Sequence, residues 1–215
     1  ISPFQLIILG FLGLIAVGTV LLMMPLAARD GVGASFGDAA FTATSAACVT
    51  GLVVQDTATY WSFWGQAIIL VLIQIGGMGV VTAAAVLSAI AGRRIGLAQR
   101  SVMQEAISAP QIGGIVRITK FSVKMMASIE TLGAILLIVP FCREFGALRG
   151  AWYAVFHSVS SFCNAGFDLM GVKEHFSSLV SYAGHPVVNI TVMLLIISGG
   201  IGFMTWDDIR TRGVH

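Results

Sequence analysis

The chain has 215 residues, of which only 10% are Asp, Glu, Lys or Arg, and its formal net charge is +2. Soluble domains usually carry about 25% charged residues, so this composition excludes an ordinary water-soluble surface. The small net charge gives no indication of a nucleic-acid-binding face, and the mean hydropathy of +0.92 is typical of a membrane protein.

Four apolar stretches are long enough to cross a bilayer, which takes about 20 residues. They cover residues 4–26, 63–91, 121–141 and 186–206. The first lacks a basic start and a small-residue cleavage site, so we interpret it as a membrane helix and not as a signal peptide. The sequence therefore predicts an all-α, multi-pass membrane protein.

Two further uncharged segments, residues 39–54 and 150–167, are short or polar for a membrane span. The first lies between Asp38 and Asp56, and the second contains a histidine, three serines and an asparagine. Segments of this kind often enter the membrane and leave it on the same side. We therefore interpret both as re-entrant loops.

Two basic clusters support this topology, because the positive-inside rule places both in the cytoplasm. The first contains Arg93, Arg94, Arg100, Arg117, Lys120 and Lys124, and the second contains Arg210 and Arg212. An even number of crossings must separate two clusters on the same side. Residues 150–167 are therefore predicted to re-enter rather than cross, and the loops around 29–60 and 143–182 then lie outside.

An internal repeat relates the two halves of the chain. Three pairs share one offset of 115 residues: Pro25 with Pro140, each closing an apolar span, Phe41 with Phe156, and Gly51 with Gly166. The sequence GGMG at 76–79 resembles GGIG at 199–202 with an offset of 123, so the second outer loop is predicted to be longer. Parallel repeats are related by an axis along the membrane normal, which is an arrangement that can surround a pore.

The repeat predicts three parts. Residues 1–92 form a helix, pore loop, helix unit, residues 93–120 form a cytoplasmic connecting loop, and residues 121–208 form a second such unit. The connecting loop is polar, so it is either a docking surface or a plain solvated loop.

Each re-entrant segment is predicted to be a short helix, at 38–46 and 151–161, followed by a glycine-containing extended stretch. A selectivity filter needs backbone carbonyls that replace the hydration shell of the ion, and glycine permits the positive φ angles that aim them. The candidate ion-binding residues are Cys48, Val49, Thr50, Gly51, Cys163, Asn164, Ala165 and Gly166. The alternative is that the two glycines only allow close helix packing.

Four segments are characteristic of one family: TSAACVTGL at 44–52, VVQDTATYWSFWGQ at 53–66, IQIGGMG at 73–79 and FHSVSSFCNAGF at 156–167. They resemble the corresponding segments of the Ktr/Trk/HKT potassium transporters, most closely the bacterial KtrB-type pore subunits. The resemblance implies one filter glycine per unit, Gly51 and Gly166 here, with K⁺ as the transported ion and no organic cofactor. Related plant transporters with Ser at the first of these positions carry sodium, so Gly51 favours potassium.

The resemblance also implies an assembly in the bacterial plasma membrane. Members of the KtrB type contain four units around one pore, form homodimers and sit on a cytoplasmic ring of nucleotide-binding regulatory subunits. This chain has two units, and the gating loop of the family's third unit is absent. Either two more units follow in the same chain or a second copy closes the pore, and we favour the first interpretation.

Two other features leave alternatives open. Glu130 lies in the third span, where burial of a charged carboxylate in the membrane costs free energy. It either pairs with a basic residue, pairs with Lys124 at the interface, or is protonated. His157 lies three and four residues from Ser160 and Ser161, which is a spacing that would suit an intramembrane hydrolase, but no second motif supports an enzyme. A sodium channel or sodium-driven permease of the same architecture is the main alternative function.

Overall fold

The computed structural model describes residues 3–79 and 115–212, and in these ranges the chain is helical with no β-strand. The α-helices of the described residues are α1 (Pro3–Met23), α2 (Phe36–Ala47), α3 (Phe63–Met78), α4 (Ile115–Phe145), α5 (Ala147–Phe162), α6 (Pro186–Gly200) and α7 (Phe203–Arg212). Short 3₁₀ turns lie at Met170–Val172 and Val180–Tyr182. The predicted all-α class is confirmed.

Within the described residues, two helices are long and apolar enough to cross a membrane, Phe4–Met23 in α1 and Thr119–Phe145 in α4, and a third span results if the bent pair α6 and α7 is counted as one. A helix satisfies its own backbone groups, which is what an apolar, water-free environment requires. The shorter α3, of 16 residues, is mostly apolar and carries two polar side chains, Gln66 and Gln74. The remainder of the predicted span 63–91, and the predicted connecting loop as far as residue 114, lie outside the described residues, while residues 115–120 of that loop belong to α4.

Two predicted helix ends are wrong. Pro140 does not close its span, because α4 continues through it to Phe145 and ends instead at Gly146, which has φ +81°. The span predicted over 186–206 is broken: α6 ends at Gly200, and the chain bends by 87° into the next helix. Gly202, with φ +85°, lies in the break and gives it a backbone conformation that other residues rarely adopt.

The two short helices predicted at 38–46 and 151–161 are present and slightly longer, as α2 and α5. Ser35 caps α2 by accepting a hydrogen bond from the N–H of Asp38, and the Asp38 carboxylate lies in the first turn, where the helix dipole favours an anion.

The helices pack as two similar groups of three. α2 packs against α1 and α3, and α5 packs against α4 and α6, while α3 and α5 join the groups. A single buried apolar cluster runs through both groups and includes Trp61, Ile69, Leu137, Phe141 and Phe156. The short helices α2 and α5 are thus each held between two flanking helices, which fixes where the segment after each of them lies.

Candidate functional site

The candidate filter segments leave their helices through the same backbone hydrogen bonds. In the first unit, the N–H of Thr50 donates to Ser45 O over 2.9 Å. In the second, the N–H of Ala165 donates to Ser160 O over 2.8 Å. Each of these two hydrogen bonds is the longer-range bond of a Schellman cap. Such a cap closes a helix with a residue in the left-handed conformation. The 115-residue offset therefore relates backbone geometry as well as sequence letters.

Four residues of these segments have positive φ angles, and they fall at equivalent positions of the repeat. Gly51 and Gly166 have φ +76° and +74°, and Val49 and Asn164 have φ +56° and +58°. Sequence reasoning anticipated this conformation for the glycines and missed Val49, because a β-branched residue with positive φ is a genuine outlier. Strain of this kind persists only where the surrounding structure enforces it.

The two segments meet at their glycines. A Cβ placed on Gly51 would lie 2.6 Å from Ala165 O and 3.1 Å from the Cα of Gly166. A Cβ on Gly166 would lie 3.3 Å from the Cα of Gly51. Neither position has room for a side chain without a shift of its neighbour.

A second pair of glycines lies behind the filter segments. A Cβ on Gly76 of α3 would lie 2.8 Å from the carbonyl carbon of Ala47, the last residue of α2. A Cβ on Gly199 of α6 would lie 2.9 Å from the carbonyl carbon of Phe162, the last residue of α5. The GGMG and GGIG sequences therefore have the same role in both units. Each provides a glycine that lets its helix, α3 or α6, contact the C-terminal end of α2 or α5.

The backbone carbonyl oxygens of the candidate filter segments have no hydrogen-bond donor among the described residues. Within residues 3–79 and 115–212, no hydrogen bond ends on a carbonyl oxygen of residues 48–51 or 163–166. The polar side chains are used elsewhere: Thr50 Oγ1 donates to Ser45 Oγ over 3.0 Å, and Asn164 Nδ2 donates to Ile196 O over 3.3 Å. The described residues hold no group of three His, Cys, Asp or Glu side chains suited to a metal ion.

Comparison with known proteins identifies the family of the chain. A family model for cation transport proteins, TrkH, matches residues 2–212. The chain belongs to the TrkH family. This confirms the resemblance to the Ktr/Trk/HKT transporters, and it makes the chain part of a membrane transport protein and not of an enzyme.

Three curated relatives of this TrkH-family chain are described as ion uptake proteins. The chain is 43% identical over 209 residues to the potassium/sodium uptake protein NtpJ of Enterococcus hirae. It is 40% identical over 208 residues to the Ktr system potassium uptake protein B of Bacillus subtilis, and 37% identical over 205 residues to that of Vibrio alginolyticus. These alignments cover 95–97% of this chain and 44–45% of each relative. The chain thus spans about half the length of the curated relatives it matches.

His157 has a structural role in this TrkH-family chain. Its Nδ1 lies 2.7 Å from Tyr153 O, and its Nε2 accepts a hydrogen bond from the N–H of Leu169 over 3.2 Å. Nδ1 therefore carries the proton, and the ring is neutral with both nitrogens engaged. Ser160 Oγ donates to Phe167 O over 2.6 Å. With the imidazole unable to serve as a base, the hydrolase alternative loses its only support.

Glu130 is buried beside the second filter segment, and its partner comes from the first unit. Gln74 Nε2 donates to both carboxylate oxygens over 3.1 Å, and Cys163 Sγ lies 3.9 Å from Oε1. Lys173 and Glu144 form the only ion pair among the described residues. Neither Lys124 nor another described basic residue therefore neutralises Glu130. Gln74 was missed because an interhelical hydrogen bond leaves no local pattern in the sequence.

Asp56 joins the loop between α2 and α3 to the loop between α5 and α6. Its Oδ1 accepts hydrogen bonds from the N–H groups of Ala58 and Thr59 over 3.0 and 2.9 Å, and Oδ2 accepts from the N–H of Phe176 over 3.0 Å. Burial raises the pKa of Asp56, but these hydrogen bonds lower it by more, so the pKa lies below its ordinary value. The carboxylate thus binds the loop after the first filter segment to the long second loop.

Proposed function

We propose that the chain forms one side of a potassium-conducting pore, in which the carbonyl oxygens of residues 48–51 and 163–166 bind the ion. The observation that carries the proposal is that these carbonyls accept no hydrogen bond within the described residues, while positive φ angles recur at equivalent positions of both segments. Carbonyl oxygens left without protein donors are what a filter offers an ion in place of water.

Potassium is the favoured ion because the relatives named above are described as potassium or potassium/sodium uptake proteins. Gly51 supports the same choice through the family pattern in which serine at this position accompanies sodium transport. Conduction of sodium remains the alternative, since one relative is described for both ions.

The pore requires more protein than this chain. Two units cannot surround an ion, and the chain corresponds to 45% of the length of the Bacillus subtilis relative. We propose that two further units of the same protein close the pore, that the complete protein forms a homodimer, and that a cytoplasmic nucleotide-binding subunit regulates it. The phrase "Ktr system" in the name of that relative supports a multi-subunit assembly.

We propose that the loops near residues 29–60 and 143–182 face outwards. Two exposed positions test this orientation, Val32 in the first outer loop and Thr205 in α7. In a protein freed of its native cysteines, V32C should react with an impermeant thiol reagent from outside and T205C from inside. Labelling of both from one side contradicts the topology.

The filter is tested by Gly51→Ser in the complete protein. A side chain here opposes the positive φ, at a cost of about 1–2 kcal/mol, and its Cβ meets Ala165 O at 2.6 Å. We expect reduced discrimination between potassium and sodium, measured as potassium uptake by a transport-deficient strain at several sodium concentrations. Gly184→Ser is the matched control, because a Cβ on Gly184 meets nothing within 4 Å. Gly51→Ser that expresses normally and keeps the original ion preference would refute the proposed filter.

A further inference from the structure

A cavity of about 630 Å³ opens at the outer ends of α1, α3 and α5. Two arginines, Arg29 and Arg149, line it together with Trp64 and Trp152, and no carboxylate does. Both arginines act electrostatically on Tyr153, another lining residue, as does the Asp56 carboxylate, which does not line the cavity. The cavity therefore carries a positive charge that its own walls do not neutralise.

The two arginines differ in how they are held. Arg29 is fixed to the wall, since its Nε donates to Trp61 O over 3.2 Å and its Nη2 donates to Ala58 O over 2.7 Å. Both acceptors are neutral carbonyls, so the charge of Arg29 persists. Arg149 is exposed and has neither a hydrogen bond nor an ion pair within residues 3–79 and 115–212. The N–H groups of its guanidinium are therefore free to bind an anion.

Two apolar grooves begin at this cavity. The first, of about 540 Å³, runs along the outward turns of α5 past Leu148 and Val155, and it shares Arg149 and Trp152 with the cavity. The second, of about 370 Å³, runs between α1 and α3 and shares Trp64 with the cavity. Both follow helices that lead from the membrane surface towards its apolar interior.

We infer that this cavity binds the phosphate group of an anionic phospholipid, with one acyl chain in each groove. Arginine forms short, charge-assisted hydrogen bonds with phosphate oxygens, and tryptophan prefers the depth of the lipid headgroups. A positively charged cavity for the headgroup, continued by two apolar grooves, matches a lipid with one phosphate and two hydrocarbon chains. The proposed orientation places this lipid in the outer leaflet, and its binding does not depend on which ion the protein transports.

The test is native mass spectrometry of the complete protein titrated with phosphatidylglycerol. We expect Arg149→Gln to raise the half-saturating lipid concentration about tenfold, the factor that corresponds to the loss of about 1.4 kcal/mol. Arg149→Lys keeps the charge and should retain part of the affinity. Arg143→Gln is the matched control, since Arg143 is an exposed arginine at the end of α4 that does not line the cavity.

Competing ligands identify the source of the phosphate. Glycerol 3-phosphate and inorganic phosphate should not displace the lipid at equal concentration, because they lack the chains that fill the grooves. Displacement by either would show a site for a soluble anion and would overturn the lipid assignment. Unchanged binding by Arg149→Gln, or an equal loss in Arg143→Gln, would also overturn it. Thermal unfolding of each variant verifies that the fold is retained. The quantity measured is lipid binding and not ion uptake.

Discussion

Replacing Gly76 by alanine tests the contact between α3 and the end of α2. A Cβ here would lie 2.8 Å from the carbonyl carbon of Ala47 and closer still to its oxygen, whereas ordinary contact begins at 3.4 Å. The Cβ position is fixed by the backbone and the neighbour is also backbone, so no rotamer change relieves the overlap. The helices must separate by about 1 Å, and overpacking of this kind typically costs about 1–3 kcal/mol.

Thermal unfolding of the complete protein in detergent measures the cost, and ion uptake measures its effect on the proposed filter. Gly13→Ala is the control, because Gly13 lies within α1 and a Cβ there meets nothing within 4 Å. That change should be neutral or stabilising by up to about 1 kcal/mol through helix propensity. Gly199→Ala should behave like Gly76→Ala, because it meets Phe162 in the same way. If Gly76→Ala melts like Gly13→Ala and transports normally, the close contact does not exist.

Three further predictions follow from contacts of single side chains. Val49→Asn, which introduces the residue found at the equivalent position Asn164, should raise thermal stability by roughly 1 kcal/mol, because Asn tolerates positive φ better than Val; a lower melting temperature contradicts the strain argument. A double-mutant cycle of Gln74→Ala and Glu130→Ala should give a coupling energy of about 0.5–3 kcal/mol, and simple additivity contradicts their hydrogen bond. The Asp56 carboxylate should contribute to the free energy of unfolding above its ordinary pKa of 3.8, and this contribution should be lost as the pH falls through the lower pKa of the folded state. Unfolding curves between pH 6 and pH 3 should show the loss in the parent protein and not in Asp56→Asn.

Local patterns in the sequence predicted the local features of the fold. The 115-residue offset located both re-entrant helices, and the glycines at their ends predicted the positive φ at Gly51 and Gly166. These features depend on turn chemistry and apolar length, which are properties of neighbouring residues. The end of α4 was missed because Pro140 suggests an end that the helix does not take. The helix ends at Gly146 instead, nearly two turns later.

The contacts between the two units were not predictable from one sequence. Gln74 with Glu130 and Asp56 with Phe176 join residues that are 56 and 120 positions apart. Nothing near Gln74 in the sequence distinguishes it from an ordinary polar residue of a membrane helix. Such pairs arise from how the units are docked, and docking is decided by the whole buried surface.

The bond between Asp56 and Phe176 has a consequence for biosynthesis. Chains are synthesised from the N-terminus at about 5–20 residues per second, so the 120 residues between these partners take roughly 6–24 s to emerge. During this interval Asp56 Oδ2 lacks the N–H of Phe176, while the N–H groups of Ala58 and Thr59 that donate to Oδ1 have already been synthesised. The link between the two loops therefore forms late in synthesis, and a chain that stops before Phe176 cannot make it.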